Sequence, residues 1–386
     1  MDLTWDIKQN FIFGYNSSIL LNLTQAKNIE KIYMFDLDYT IIKTKSGKKF
    51  PVDKMDWELL YPNVQTKFNE LVKPNDLGIR DVLVGVISNQ KGLKSSDQIS
   101  DWIDKIKNIS KLITIDFVFA SITDDRFRKP LTGSYEYIKE KFPNIDWDKI
   151  SSRNKIYYIG DAFGRPTDFS DTDIKFAKNC GLKFKTPEMF FKVGLSSNNQ
   201  LGSIEYPKIN YFTKVEQDEL FDLIDREINN HADEKILIMM IGLPASGKSF
   251  ARKELIKRFP QFAYTNNDDI GEKVMSRNLI TNLSDDCDYL IDDNTNLDKF
   301  SREKKLKKFE RYYKIGIWFD YDLEVCWHLN WMRMYWFGTK LLPKVTYYTL
   351  RKKFEATGLT DGFDKFIKVD KVFREMNLDN KIKYYF

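Results

Sequence analysis

Two aspartates one residue apart, Asp36 and Asp38, follow a short apolar run in the stretch MFDLDYT. Three further groups that can act on a phosphate follow in chain order: the hydroxyl of Ser88, the amine of Lys129 and the carboxylate of Asp161. One carboxylate can attack phosphorus while another exchanges a proton with the leaving oxygen. Lysine and Mg²⁺ would neutralise the transferring group, and Mg²⁺ takes oxygen ligands. Together these residues favour phosphoryl transfer, although the two aspartates alone would fit a turn.

A second pattern lies in the C-terminal half, where an apolar run is followed by GLPASGKS at residues 242–249. The string fits GxxxxGK[ST] between a predicted strand and a predicted helix, which is the context that a phosphate-binding loop requires. Backbone N–H groups of such a loop surround nucleotide phosphates at a helix N-terminus. Lys248 is expected to reach the β- and γ-phosphates and Ser249 to bind Mg²⁺. The other predicted nucleotide contacts are Gly242, Pro244, Ala245, Ser246 and Gly247.

Both patterns lie at the ends of predicted strands, and these strands alternate with helices. In the first half, strands are predicted within 32–36, 82–90, 115–122 and 155–165, and helices within 135–142 and 172–180. In the second half, a helix is predicted at 214–230 and strands at the start of 235–249 and within 262–265, 288–292 and 314–319. Such alternation is typical of parallel sheets in α/β domains, whose sites lie at the carboxyl ends of the strands.

The polar stretch LSSNNQLGS, residues 195–203, predicts a linker between the two patterns. We therefore expect one α/β domain over residues 1–200 and a second over 235–386, joined by a linker with a connecting helix over 201–234. The two halves show no internal repeat, so they are not expected to be duplicates.

Composition narrows the class of protein. With 42% hydrophobic and 30% charged residues the chain is typical of a soluble globular protein, and its net charge of +5 permits a polyanionic partner without requiring one. Its three cysteines are scattered without a CxxC pair, which argues against a disulfide framework or a zinc site. No signal peptide and no apolar run of roughly 20 residues is present. We expect an intracellular location, in the nucleus, the cytoplasm or a viral replication site, and no membrane contact.

The first half resembles the haloacid dehalogenase superfamily and, within it, the phosphatase domain of polynucleotide kinase 3'-phosphatases. The strings that carry this resemblance fall within residues 30–200: FDLDYTIIKTKSGKKFP, DWELLYPNV, SNQKGL, RKPLTGSYEYI and GDAFGRPTDFSDTDIKFAKNCGLKFKTPEMFF. The resemblance implies a Rossmannoid phosphatase domain in which Asp36 forms an aspartyl-phosphate and Asp38 is the general acid and base. Mg²⁺ would be held by Asp36, Asp161 and the backbone carbonyl of Asp38. Ser88 would bind the phosphate and Lys129 would stabilise its charge.

The same resemblance suggests further contacts. Thr40, Asn89 and Arg165 are candidate substrate-binding residues. Asp173 is a candidate to contact the ligands of the metal rather than the metal itself. The alternatives are a structural role for Thr40 and Asp173 and a surface ion pair for Arg165. The sequence departs from the family at Tyr39, where glycine is usual. We expect this bulky residue to need an ordinary backbone angle and to narrow the mouth of the site.

The second half resembles the kinase domain of the same family. The segment TNNDDIG is similar to the family's strand-end NRD, which implies that Asp268 activates the acceptor hydroxyl. Asp269 is a competing choice, and a helix N-cap is the alternative for either residue. Asn267 stands where the family has arginine, which puts the binding of an acceptor phosphate in doubt. The segment LIDDNTN implies that Asp293 and Asn294 border the acceptor or the metal.

The segment CWHLNWMRMYW resembles the kinase lid helix, and Arg333 is the arginine expected to neutralise the transferring phosphate. The family usually has two nearby arginines, whereas only Arg333 is identified here. A solvent-exposed arginine without a catalytic role is the alternative.

The resemblance as a whole implies a bifunctional enzyme that removes 3'-phosphates and uses ATP and Mg²⁺ to phosphorylate 5'-hydroxyls, so that a ligase can join the ends. A monomer without a forkhead-associated domain is expected. DNA is preferred over RNA on the resemblance alone, because a reader of the 2'-hydroxyl leaves no reliable mark in a sequence. An RNA end-repair enzyme, a small-molecule phosphatase fused to a kinase and a non-catalytic nucleic-acid adaptor are the alternatives.

Overall fold

The computed structural model describes residues 3–18, 26–193, 208–266 and 287–376. These residues form two compact units that divide between residues 206 and 207, and each unit is described by itself. Both are α/β units with largely parallel sheets, which confirms the predicted fold class. Among the described helices, none combines the length and the apolar character needed to cross a membrane.

The first unit is built on a seven-stranded sheet beside a small two-stranded one. Its strands are β1 (Thr4–Ile7), β2 (Phe11–Tyr15), β3 (Lys31–Phe35), β4 (Ile42–Lys43), β5 (Glu58–Leu59), β6 (Val82–Asn89), β7 (Phe117–Ser121), β8 (Ile156–Ile159) and β9 (Lys183–Lys185). The large sheet has the order β1-β2-β7-β6-β3-β8-β9, and the strands from β7 to β9 pair in parallel. The chain thus winds outward in both directions from β3, so a ligand site is expected where β3 and β8 end.

Helices cover both faces of this sheet. They are α1 (Val64–Val72), α2 (Ser96–Ser110), α3 (Gly133–Lys141), α4 (Trp147–Ser152), α5 (Thr172–Asn179) and α6 (Pro187–Phe191). Side chains of β6 alternate between the two layers: Leu83 and Ile87 pack on the side of α3 and α5, whereas Val84 and Val86 pack on the side of α1 and α2. Two apolar layers therefore fix the strand ends from above and below.

An N-terminal hairpin extends the sheet ahead of the first predicted strand. Strand β2 pairs antiparallel with both β1 and β7, and Phe11, Ile12 and Phe13 are buried. A Cβ on Gly14 would lie 2.7 Å from the ring of Trp5, which explains the glycine in this strand. A short apolar run such as β2 cannot be recognised as a strand from its own sequence. The strand that it pairs with, β7, lies about a hundred residues further along the chain.

The second unit has a five-stranded, wholly parallel sheet in the order β11-β12-β10-β13-β14. These strands are β10 (Lys235–Ile241), β11 (Ala263–Thr265), β12 (Tyr289–Asp292), β13 (Tyr312–Phe319) and β14 (Lys365–Val369). The helices are α7 (Lys214–Asn230), α8 (Lys248–Arg258), α9 (Lys299–Lys308), α10 (Leu323–Phe337) and α11 (Lys344–Lys353), with short 3₁₀ turns at Leu359–Asp361 and Arg374–Met376. Helix α7, predicted as a connecting helix, packs its Phe221, Ile224 and Ile228 into the core of this unit.

Arg302 on α9 is a fully buried arginine that cross-links the second unit. Its Nε donates to Asp361 Oδ2 at 2.8 Å. Its two terminal nitrogens donate to the carbonyls of Asn296 and Leu297 at 3.1 and 2.8 Å, and to those of Glu355 and Ala356 at 3.2 and 2.9 Å. All five N–H donors of the guanidinium are thus used, which is what a buried arginine requires.

We predict that Arg302→Met lowers the free energy of unfolding of the second unit by about 3–5 kcal/mol, because it leaves Asp361 as a buried charge without its partner. Urea unfolding measures this change. Arg311→Met is the matched control, since Arg311 is exposed and its replacement should change stability by less than about 0.5 kcal/mol. Equal effects of the two substitutions would show that the buried ion pair contributes nothing particular.

Candidate active sites

Three carboxylates meet at the strand ends of the first sheet. Asp36 follows β3, Asp161 lies just beyond β8, and Asp173 is carried by the first turn of α5. One oxygen of each lies within 4.8 Å of the others. A Cβ at Gly160 would lie 2.3 Å from Asp173 Oδ2, so glycine before Asp161 lets α5 approach the strand. The doubly wound sheet therefore brings Asp36 together with two carboxylates that lie more than a hundred residues further along the chain.

Lys129 links two of these carboxylates. Its Nζ donates to Asp36 Oδ1 at 2.6 Å, to Asp173 Oδ1 at 2.8 Å and to the hydroxyl of Tyr158 at 2.7 Å. These contacts use all three donors of the ammonium group, which is buried. The backbone of Lys129 is held by the side chain of Asn89, whose Nδ2 and Oδ1 both pair with it at 3.0 Å. Asn89, predicted to bind substrate, therefore positions the lysine in this geometry.

Burial dominates the electrostatics of this cluster. It raises the pKa of Asp36 well above the ordinary value, against the attraction of Lys129. Burial also raises the pKa of Asp161 to about 7, and repulsion from Asp173 adds to it. Burial would lower the pKa of Lys129, but Asp173 and Asp36 outweigh it and raise that pKa. Three carboxylates facing one ammonium leave an excess of negative charge, which a divalent cation would balance.

The donor set fits such a cation. Asp173 already accepts hydrogen bonds from Lys129, from Tyr158 at 3.3 Å and from the backbone N–H of Ala162 at 3.1 Å. Asp36 and Asp161 are thus the carboxylates better placed to hold the ion directly, with Asp173 behind them. Oxygen ligands of this kind suit Mg²⁺.

A second cluster surrounds Asp38. Gln90 Nε2 donates to Asp38 Oδ2 at 2.7 Å and to Ser88 Oγ at 2.9 Å, so one amide connects both predicted catalytic side chains. Lys105 Nζ lies 3.6 Å from Asp38 Oδ1 and the lysine is buried on α2. Sequence reasoning missed Lys105, although its spacing from the buried Trp102 places it on the apolar face of the helix, which is a signal of a special role.

Tyr158 was also missed. The ring is fully buried and packs edge to face on Phe176 at 4.9 Å. Its hydroxyl accepts from Lys129, and its single proton is shared between the carbonyl of Ile87 at 3.1 Å and Asp173 Oδ1 at 3.3 Å. Burial raises its pKa well above the ordinary value, so the hydroxyl stays protonated. A tyrosine in a short buried strand looks like core in the sequence, and only the tertiary fold brings Lys129 to it.

We predict that Tyr158→Phe lowers the turnover number of the phosphatase reaction about tenfold and leaves KM nearly unchanged, because Lys129 loses one of three partners that orient it. Steady-state kinetics on a 3'-phosphorylated oligonucleotide measure the effect. Tyr157→Phe is the matched control, since Tyr157 is the neighbouring half-buried residue that stacks on Tyr33. Equal turnover of the two variants would contradict a role for the Tyr158 hydroxyl.

Two predicted substrate contacts have partners within the protein. Thr40 is buried, and its Oγ1 lies 3.5 Å from Asp161 Oδ1. Arg165 pairs with Asp168 at 2.8 Å and with Glu188 at 3.4 Å. The geometry thus matches the alternatives stated for these residues, an internal structural contact for Thr40 and an ion pair for Arg165.

Tyr39 does not have the ordinary backbone angle that the sequence predicts. Its φ is +56°, in the left-handed region, so this prediction is wrong. The cause is a tight turn in which the Tyr39 N–H donates to the carbonyl of Ile42 at 2.7 Å. A bulky residue in this region costs about 1–3 kcal/mol and persists where the surrounding structure imposes it.

Exposed aromatic side chains lie on the loops of this unit that follow β4 and β8. Phe50 is 71% exposed and Phe169 is 79% exposed. The Lys49 ammonium lies 4.0 Å from the centre of the Phe169 ring. Exposed aromatic rings interleaved with lysines are typical of surfaces that bind single-stranded nucleic acid.

In the second unit, the predicted phosphate-binding loop connects β10 to α8. Gly247 has φ +92° and Ala245 has φ +62°. A Cβ at Gly242 would lie 2.9 Å from Ser246 Oγ, so a larger residue would not fit there. The Lys248 ammonium lies over the loop, 3.0 Å from the carbonyl of Gly242 and 2.7 Å from that of Leu243. Loop and lysine therefore have the form that surrounds nucleotide phosphates at a helix N-terminus.

The rest of the predicted donor site surrounds this loop. Ser249 is exposed in the first turn of α8, and the Pro244 carbonyl accepts from the Tyr347 hydroxyl on α11 at 3.3 Å. Arg333 lies on α10 with a buried Nε that has no hydrogen-bond partner among the described residues. Burial and the neighbouring Cys326 raise the pKa of Tyr347, and the guanidinium of Arg333 opposes this rise.

Acidic and amide side chains follow β12 beside this loop. Asp293 pairs with Arg252 of α8 at 3.1 Å and accepts from Asn266 Nδ2 at 2.9 Å. The Arg252 guanidinium stacks 3.8 Å from the centre of the Tyr264 ring. Asn294 donates to Asp292. Sequence reasoning found Asp293 and Asn294 but missed Arg252, since an arginine in a helix rich in cations gives no signal.

The other oxygen of the Asp292 carboxylate, Oδ2, pairs with Lys305 on α9 at 2.7 Å. Asp268, the predicted kinase base, its competitor Asp269 and Asn267 all lie outside the described residues.

Comparison with known proteins finds relatives of both parts of the chain. A family model described as polynucleotide kinase 3 phosphatase matches residues 31–191. A bifunctional polynucleotide phosphatase/kinase from Schizosaccharomyces pombe is 30% identical, covering 88% of this chain and 79% of that protein. A putative bifunctional polynucleotide phosphatase/kinase from Acanthamoeba polyphaga mimivirus is 29% identical, covering 95% and 91%. A polynucleotide 3'-phosphatase from Saccharomyces cerevisiae is 30% identical, covering 42% of this chain and 87% of that protein.

The match to the Schizosaccharomyces pombe protein extends over most of both chains, so it takes in both units. The sequence resemblance stated above leads to the same group of proteins. This chain belongs to the family of bifunctional polynucleotide phosphatase/kinases.

Proposed function

We propose that this protein heals nucleic-acid ends: the first unit removes 3'-phosphates and the second phosphorylates 5'-hydroxyls with ATP. The observation that supports this most directly is the contact of Lys129 with Asp36 at 2.6 Å, beside the Gln90 amide that joins Ser88 to Asp38. This arrangement places a nucleophile, Asp36, beside a fixed cation, Lys129, and a proton-transfer group, Asp38. The phosphate-binding loop on a separate sheet supplies a second, independent site.

In the phosphatase reaction, the carboxylate of Asp36 attacks phosphorus and the bond to the 3'-oxygen breaks. Asp38 gives its proton to that leaving oxygen, and Asp36 carries the phosphate as an acyl phosphate. Water then attacks the phosphorus while Asp38 takes a proton from it. The bond between phosphorus and Asp36 breaks, which restores the Asp36 carboxylate and releases inorganic phosphate. Lys129 holds the Asp36 oxygen by a charged hydrogen bond, Ser88 binds a phosphate oxygen, and Gln90 orients Asp38.

Mg²⁺ would be held by Asp36 and Asp161, and in the kinase unit by Ser249. When bound it neutralises charge on the transferring phosphate. In the second unit, backbone N–H groups of residues 242–249 would bind the ATP phosphates, and Lys248 would leave the loop carbonyls to contact the β- and γ-phosphates. Asp268 would take the proton of the 5'-hydroxyl, and Arg333 would stabilise the transferred group.

A polymer end is favoured over a small phosphate ester because of the flanking aromatic loops. Phe50 and Phe169 are exposed with Lys49 between them, and such groups bind unpaired bases without regard to sequence. DNA is our proposed substrate, on family resemblance, with a ligase acting on the product.

Kinetics on matched substrates test the proposal. The substrates are DNA and RNA oligonucleotides with a 3'-phosphate, the same strands with a 5'-hydroxyl and labelled ATP, and phenyl phosphate as a small ester. We expect kcat/KM for the DNA end to exceed that for phenyl phosphate by about 100-fold or more, because remote contacts contribute binding energy. EDTA should stop both reactions. Faster turnover of phenyl phosphate would favour the small-molecule alternative, and faster turnover of RNA would favour RNA end repair.

A further inference from the structure

Tyr39 combines an unfavourable backbone conformation with an exposed aromatic ring. Its φ of +56° lies in a region that glycine adopts freely and tyrosine rarely does. The residue is 42% exposed, so packing in the core does not account for the presence of a ring there. Unfavourable backbone conformations of this kind cluster at sites where ligands bind. The residue follows Asp38 directly in the chain.

The ring of Tyr39 has a defined direction. Its hydroxyl donates to the carbonyl of Lys49 at 3.4 Å, so the side chain extends from the backbone beside Asp38 to the loop after β4. The Lys49 side chain in turn lies over the Phe169 ring, 4.0 Å from its centre. The aromatic side chain of Tyr39 thus extends from the residue next to Asp38, the proposed proton-transfer group, toward the loop that carries Lys49.

The direction of the reaction places the substrate on that side. Under the proposed function, Asp38 protonates the 3'-oxygen that leaves, so the sugar and base attached to this oxygen lie toward Asp38 and the residue that follows it. A phosphate held at Asp36 thus brings the terminal nucleotide toward Tyr39. An exposed ring at this point offers a flat apolar surface to any of the four bases.

We propose that Tyr39 is a specificity-determining residue of the phosphatase site, and that its ring stacks on the base of the nucleotide that carries the 3'-phosphate. The inference rests on the proposed 3'-phosphatase activity. It assigns a reason for tyrosine at a position whose backbone geometry suits glycine: the ring selects a nucleotide end over an end that lacks a base.

A pair of substrates isolates this contact. One is a short DNA strand with a normal terminal nucleotide and a 3'-phosphate, and the other carries a tetrahydrofuran abasic residue at the same position. We expect the unsubstituted protein to show a KM about tenfold lower for the strand with the base. Tyr39→Gly should abolish this difference, and Tyr39→Phe should retain it, because phenylalanine keeps the ring and loses only the hydrogen bond to Lys49.

The thermal midpoint and the kinase rate of the same preparations show whether each variant is folded. Glycine adopts φ +56° without the steric strain of tyrosine, and this relief offsets its larger loss of backbone entropy on folding. The thermal midpoint of Tyr39→Gly should therefore change little, and its kinase rate should stay within about twofold. Persistence of the KM difference in Tyr39→Gly, or its loss in Tyr39→Phe, would overturn the stacking proposal while leaving the phosphatase activity established. Failure of the unsubstituted protein to dephosphorylate either strand would overturn both proposals.

Discussion

Replacing Asp36 with asparagine is expected to lower the release of phosphate from 3'-phosphorylated ends by roughly 10³-fold or more, with the kinase rate within about twofold of normal. An amide cannot displace the 3'-oxygen to form the acyl phosphate. Asparagine has the shape of aspartate and retains an oxygen that can accept the hydrogen bond from Lys129. The loss should therefore appear in turnover rather than in substrate binding, and steady-state phosphate release measures it.

The control for this variant is Asp76→Asn, since Asp76 lies exposed in a loop of the same unit. It removes the same charge and should leave both activities unchanged. Normal phosphatase activity in Asp36→Asn would show that the nucleophile is misassigned. Loss of both activities in a folded Asp36→Asn variant would contradict the existence of two separate sites.

Lys248→Met is expected to have the converse effect. The kinase rate should fall about 10²–10³-fold, because the ammonium that contacts the β- and γ-phosphates is removed from the loop. Phosphatase activity should be unchanged, since Lys248 belongs to the second unit and its ammonium contacts Gly242, Leu243 and Ser246 of its own loop. Transfer of labelled phosphate from ATP to a 5'-hydroxyl measures the first effect.

Lys253→Met provides the matched control, because Lys253 is an exposed lysine on the same helix, α8. Its kinase rate should remain within about twofold of normal. Equal losses in the two variants would indicate a general effect of charge on nucleic-acid binding. Undiminished kinase turnover in Lys248→Met would mean that the nucleotide binds elsewhere.

The position of the candidate phosphatase site at the strand ends could be predicted from the sequence because the relevant signals are local. A carboxylate at the end of an apolar run can be recognised in the sequence without knowledge of the fold. The sheet order then places Asp36 and Asp161 at the ends of adjacent strands. The phosphate-binding loop is a contiguous string with a fixed mechanism, so its position between β10 and α8 follows from the motif.

The residues that orient these groups could not be predicted in the same way. Tyr158 contacts Lys129 across 29 positions of the chain, and Lys105 approaches Asp38 from a helix. Asn89 has the side chain of a substrate-binding residue, yet its partner is the backbone of Lys129. Partners of this kind are set by the tertiary fold, which residue type alone does not specify.

Backbone geometry is a further limit of sequence reasoning. The steric preference of tyrosine predicts an ordinary φ for Tyr39, but the turn that ends in the carbonyl of Ile42 imposes the left-handed value. Local propensity was outweighed by the hydrogen bond that closes this turn. Such exceptions are concentrated at functional sites, which is why Tyr39 merits its own test.

Repair of a nick with both ends blocked tests the two-site account most directly. The substrate is a DNA duplex with a 3'-phosphate and a 5'-hydroxyl at the nick, incubated with Mg²⁺, ATP and an NAD-dependent ligase, so that ATP serves the kinase alone. We expect sealing by the unsubstituted protein, none by Asp36→Asn or Lys248→Met alone, and restored sealing when the two variants are mixed. Failure of the unsubstituted protein to permit sealing, or failure of the mixture where the unsubstituted protein succeeds, would contradict two complete and independent sites in this chain.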